Sequence, residues 1–210
     1  RQAGKHFNPY TYDDIKTAAD HVHWVGERGP HAGNFRSAAK GGGHAHAGAM
    51  VYLGGSWPEE YRNEIFMNNI NGARLNRDHP QRSGSGYVVR HRDDFMAMND
   101  TWSQWLNFKY DASGSVFAID WYDKNQCHSP NPDVHDKTMG RIFKITHEND
   151  KWVQVNLAKA SDMELVNYQL NANEWYVRQA RTLLQERGPN KKVHKALKKI
   201  LAENPDATRK

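Results

Sequence analysis

Two closely spaced histidine pairs stand out in this 210-residue chain: His21 and His23 in "DHVHW", and His44 and His46 in "GGGHAHAGAM". Residues at i and i+2 of an extended strand share a side, so each pair can form a two-point clamp. Imidazole suits zinc, copper, iron and nickel, and two pairs would supply up to four ligands to a transition metal. The same side chains also suit general-base chemistry near neutral pH. The third reading is that they are packed and hydrogen-bonded. The glycines before His44 let a ligand approach the backbone closely.

Other residues carry weaker signals. "CHSPNPDVHD" holds Cys127, His128 and His135, but their spacing matches no standard zinc pattern, and the stretch reads as a proline-rich structural loop. Arg74, Arg77 and Arg90 lie in or just after strand-like runs. Arginine grips carboxylates bidentately, and ion pairing with nearby acids is its default role.

The elements that must position these groups are mostly strands. Residues 1–40 read as irregular, with a short helix from Tyr12 to Ala19 and a long loop after it. "GAMVYL", "EIFMNNI", "ARLNRD" and "GYVVRH" then follow as four short strands. Asn71-Gly72 between the second and third is a strong hairpin signal. "HPQRSGS" reads as a loop before the fourth, and "DDFMAMNDTWSQ" as a connection after it. The pattern restarts with "WLNFKYD", "SVFAIDWYD" and, past a long loop, "GRIFKITHE". A repeated meander at roughly fifty-residue spacing points to a β-propeller.

After Asp150 the pattern changes to helices. Ser161 with Glu164 forms a capping-box signature. Apolar residues in "NANEWYVRQARTLLQERG" recur at helical spacing, with Gly188 as the stop. A third helix runs from Lys191 to about Ala202. Stacked helical pairs suggest a solenoid. One complete blade, one short blade and a barely started solenoid imply an internal piece of a longer protein.

Composition excludes several classes. Apolar residues make up 38% of the chain, but 7 Trp, 9 Tyr and 7 Phe supply enough bulk for a core. Cys127 is the sole cysteine, so no intrachain disulfide forms, and no haem-attachment motif occurs. No apolar run is long enough to span a membrane. The formal charge is +5, but much of the excess sits in "KKVHKALKKI" and the body mixes both signs. A solvated helix face, and no nucleic-acid partner, is the expectation.

In a propeller blade the loops entering the inner strand and joining the second and third strands emerge on one face. That rule gathers His44, His46, Asn71, Arg74, Asp100, Trp102, Asp120, Asp123, Cys127, His128 and His135 at one end. Of these, His44, His46, Asp120 and Asp123 are the candidate catalytic residues. His21, His23, His44 and His46 are the candidate metal ligands.

"GHAHAGAMVYLGGSWPEEYRNEIFMNNINGARLNRD", "GSGYVVRHRDDFMAMNDTW" and "DWYDKNQCH" with "GRIFKI" resemble the membrane-bound dehydrogenase domain of planctomycete and verrucomicrobial proteins. That domain is similar to glucose/sorbosone dehydrogenases. The resemblance covers about residues 10–190. It implies the C-terminal part of a six-bladed propeller over 41–150, with 1–40 as an insertion belonging to it. HEAT-like repeats would begin in 151–210. It further implies a sugar or alcohol substrate, pyrroloquinoline quinone (PQQ) with calcium, and a c-type cytochrome domain as electron acceptor. Any haem would lie in a domain outside this chain, and the location would be periplasmic or cell-surface. The segment "NGARLNR" falls where such enzymes place quinone-binding arginines, so Asn71, Arg74 and Arg77, with Trp102, are the candidate cofactor residues. A non-catalytic propeller–HEAT scaffold that binds glycan or protein is the alternative.

Overall fold

The computed structural model describes residue 42 and residues 46–70, 72–125, 131–136, 138–148 and 150–209. The expected helix at 12–19, His21, His23, His44, Asn71, Cys127 and His128 lie outside the described residues. Within them the chain is mainly antiparallel sheet followed by a few helices.

The first sheet contains β1 (His46–Val51), β2 (Ile65–Asn69), β3 (Arg74–Ser83), β4 (Gly86–His91) and β5 (Met96–Ala97). Its order is β1-β2-β3-β4, with β5 also paired to β3. The β2–β3 ladder runs from Ile65↔Asp78 to Asn69↔Arg74, and the Ala73 N–H donates to the Ile70 carbonyl across the connection. A hairpin therefore closes where the Asn-Gly signal placed it.

Two expectations are corrected here. "HPQRSGS" is not a loop before β4, because β3 continues to Ser83 and pairs along its second half with β4. Pro80 is tolerated because β2 pairs only as far as Asp78, so the missing N–H breaks no ladder bond on that side. Ser83 and Gly86 pair around a two-residue turn in which Gly84 takes φ 58°. The connection after β4 also holds a short strand: β5 pairs with Arg74 and Leu75 of β3, on from where β4 pairs with Asp78. Phe95 N–H donates to Leu75 O and Met98 N–H to Ala73 O, which restores the ladder.

The second sheet contains β6 (Trp105–Tyr110), β7 (Val116–Asp120) and β8 (Arg141–Ile145), in that order. Three helices follow: α1 (Asp162–Asn167), α2 (Glu174–Glu186) and α3 (Lys191–Glu203). Ser161 and Glu164 cap α1 reciprocally, Asn173 and Asn190 cap α2 and α3, and Gly188 ends α2 at φ 82°.

The chain divides into two compact units. The described residues of the first come from a stretch ending at Met50, from Glu64–Asn107 and from Ile119–Arg141. Its apolar centre includes Phe66, Leu75, Met98 and Trp105. Gly48 packs so closely on the Leu106 backbone that a Cβ there would overlap the Leu106 carbonyl.

The second unit combines Val51–Asn63, Phe108–Ala118 and Ile142–Lys210. Tyr52 is wholly buried; its hydroxyl donates to Gly114 O (2.9 Å) and accepts from Trp57 N–H (3.0 Å). The Trp57 ring stacks on it at 4.4 Å, so "GSWP" is a structural corner. Among the helices, Leu157, Leu165 and Ala180 form a core that Tyr168, Trp175, Tyr176, Leu183 and Leu184 cover. Full burial of a side chain such as Leu165 is worth about 1.5–3 kcal/mol.

Candidate active site around Asp123 and His135

The first unit holds a dense polar cluster where β7 ends. Beyond Asp120 the chain stays zipped to 102–104: Trp121 N–H donates to Gln104 O, and Asp123 N–H to Trp102 O, each at 3.0 Å. Tyr122 sits between them at φ 53°, a left-handed conformation unusual for a tyrosine. That reversal brings two carboxylates, Asp120 and Asp123, back into the protein.

Asp120 is fully buried and fully occupied. Its Oδ1 accepts from the N–H groups of Gln104 (2.6 Å) and Tyr122 (3.1 Å). Its Oδ2 accepts from Ser103 Oγ (3.2 Å) and from Arg141 Nε (2.9 Å) and Nη2 (2.6 Å). Arg141 Nη1 reaches Asp100 Oδ2 at 3.1 Å, and its guanidinium lies over the Tyr122 ring. Five donors leave Asp120 no lone pair directed at a substrate, so its role is to hold the corner together.

Asp123 is built differently. Its side chain is also buried, and Oδ1 accepts from Asn125 N–H (2.9 Å) and Asp136 N–H (3.1 Å). Its Oδ2 accepts from the Trp121 indole N–H (3.3 Å) and faces His135 Nδ1 at 3.4 Å. Burial pushes the carboxyl upward, but the two backbone N–H groups, the indole and the nearby His135 outweigh it and hold the pKa below the usual carboxylate range. The His135 side chain is 20% exposed. A carboxylate facing Nδ1 favours the tautomer with the proton on that nitrogen, which directs Nε2 to act as the proton acceptor, an arrangement that suits proton abstraction from a bound hydroxyl.

The remaining sequence candidates fall as follows. Trp102 joins this cluster, its ring 5.7 Å from that of Tyr122. His46 is a half-buried member of β1 with contacts of its own. Arg74 is 2% exposed and donates to Gly72 O (3.3 Å) and Asp94 Oδ2 (3.2 Å). Arg77 donates to Glu64 Oε2 at 3.0 Å, and the same carboxylate faces His79 Nδ1. Asp78 in turn faces His91 Nδ1 at 2.9 Å.

The quinone and calcium implied by the resemblance do not fit the described residues. Both arginines already hold carboxylates, and among the described residues no group of three or more His, Cys, Asp or Glu could hold a metal ion. Between Arg74 and Asp78 lies Asn76, 0% exposed, whose carboxamide nitrogen and oxygen both lack a hydrogen-bond partner among the described residues. Arg141 was not anticipated from the sequence. Its signal is an arginine opening a strand that pairs beside the one ending in Asp120.

Residues 5–149 match the family described as a domain of unknown function, DUF7133, and the chain belongs to that family. No curated protein and no solved structure matches the chain. Among the described residues no helix is long and apolar enough to cross a membrane.

Proposed function

We propose that this chain carries the substrate-facing part of an oxidoreductase that oxidises a hydroxyl of a sugar or other alcohol. His135 is the base that takes the hydroxyl proton, and Asp123 orients it. The carrying observation is the buried Asp123 carboxylate facing Nδ1 of the partly exposed His135. Withdrawing the hydroxyl proton assists loss of hydride from the carbinol carbon, and a positioned base contributes about 10²–10⁴-fold. In this reading the two antiparallel sheets are successive blades of a six-bladed propeller, and α1–α3 begin a HEAT-like array. Sequential strand order within each sheet and the helices that follow support that architecture. The electron acceptor is a quinone, seated outside the described residues, with a c-type cytochrome domain beyond it in a periplasmic or cell-surface setting.

The test is sugar- or alcohol-dependent dye reduction by the full-length protein, purified natively or reconstituted with quinone and calcium. His135→Gln should lower kcat by roughly 100-fold or more with little change in KM. An unchanged rate would remove His135 from the reaction.

A second reading, a propeller–HEAT scaffold that binds glycan or protein without catalysis, draws on a different observation. Asp120, Arg74 and Arg77 all have their charges engaged by partners within the fold. Wild-type protein that binds no quinone and reduces no dye with any sugar or alcohol would favour this reading.

A further inference from the structure

Helix α3 breaks the charge rules that the other helices obey. Acidic residues occupy the first turn of α1 (Asp162, Glu164) and of α2 (Glu174), where the helix dipole favours them. The first turn of α3 contains no acid and opens instead with Lys191 and Lys192. Lys195 lies four residues from both Lys191 and Lys199, so like charges stack along the helix, which weakens it. Of the α3 lysines, Lys199 alone has an acidic partner among the described residues, Glu203 at 3.8 Å.

At 3.6 residues per turn, Lys191, Lys192, Lys195, Lys198 and Lys199 fall within an arc of about 120°. All five are exposed, and Val193, on the opposite side of the helix, is the buried residue that anchors it. Leu201, 60% exposed, borders the arc beside Lys198. A helix in which four of five clustered lysines have no acidic partner among the described residues is shaped for an external anion.

We infer that the lysine face of α3 docks on an anionic phospholipid surface. A bilayer presents diffuse, planar negative charge, and compact ammonium groups in one arc suit it, each strengthening attachment about fivefold. Leu201 adds an apolar contact at the headgroup boundary. Nucleic acid is the poorer fit, because the five-lysine arc contains neither arginine to read base edges nor an aromatic ring to stack on bases. The inference is independent of the proposed catalytic chemistry, because it is argued from the residues of α3 alone.

The test is co-sedimentation of the full chain with phosphatidylcholine vesicles, with and without phosphatidylserine, at low and high salt. Binding should require phosphatidylserine and weaken with salt. Lys191→Gln, Lys195→Gln and Lys198→Gln together should reduce it roughly a hundredfold, while the three Lys→Arg changes should retain it. Circular dichroism of each variant confirms that the helix is intact. Failure to bind phosphatidylserine vesicles at low salt overturns the inference, as does equal binding by the glutamine variant. Tighter binding to duplex DNA or heparin than to vesicles overturns it in favour of a soluble polyanion.

Discussion

The Arg141 guanidinium lies 3.6 Å from the centre of the Tyr122 ring, which itself occupies a left-handed backbone turn. One face of the arginine is packed while its edge serves Asp120 and Asp100. Lysine cannot reproduce a planar fork that stacks and donates along three N–H directions. Arg141→Lys should therefore destabilise the protein by about 1–3 kcal/mol, read as a lower urea midpoint. Arg141→Met should cost more, because Asp120 then remains buried without a cation. An unchanged midpoint for both would show that the corner holds without Arg141.

Asp123 sets a pH dependence. Its folded pKa lies below the usual carboxylate range, so the ionised form is favoured in the native state. The stability this supplies is fully present above the unfolded value of about 4, and is lost as pH falls through the depressed folded value. Asp123→Asn should melt well below wild type at neutral pH, and the gap should narrow as the solution becomes acidic. Thermal melts from neutral to acid pH provide the check, and a constant gap would contradict the assignment.

Gly48 has φ 64° and its Cα abuts the Leu106 carbonyl. Gly48→Ala adds both overlap and left-handed strain, and should destabilise by about 3 kcal/mol. Urea unfolding would reveal it. A neutral effect would mean that β1 shifts to make room.

Much of the architecture was legible because its signals are local. β2, β4, β6, β7 and β8 alternate or run apolar between turn residues, and Ser161 and Gly188 mark helix ends in the sequence itself. The second half of β3 was hidden because "HPQRS" is polar and contains proline; only its pairing with β4 makes it a strand. The site was half legible. Asp120 and Asp123 could be chosen as acids at a strand end, but their division of labour depends on donors from Ser103, Gln104, Asp136 and Arg141, which no spacing rule brings together. The glycines before His44 suggested room for a ligand, but His44 and its immediate neighbours lie outside the described residues.

The second unit has a history that its finished form conceals. Leu53 O receives the Glu174 N–H, and the Asn173 carboxamide donates to the carbonyls of Asp111 and Ala112. At ribosomal speed, Leu53 emerges on the order of ten seconds before Glu174. Throughout that interval the segment around Tyr52 and Trp57 lacks the helix start that completes its surroundings. The family match ends at residue 149, so a gene piece cut there would make that delay permanent, leaving the carbonyls of Leu53, Asp111 and Ala112 without the donors that Asn173 and Glu174 bring.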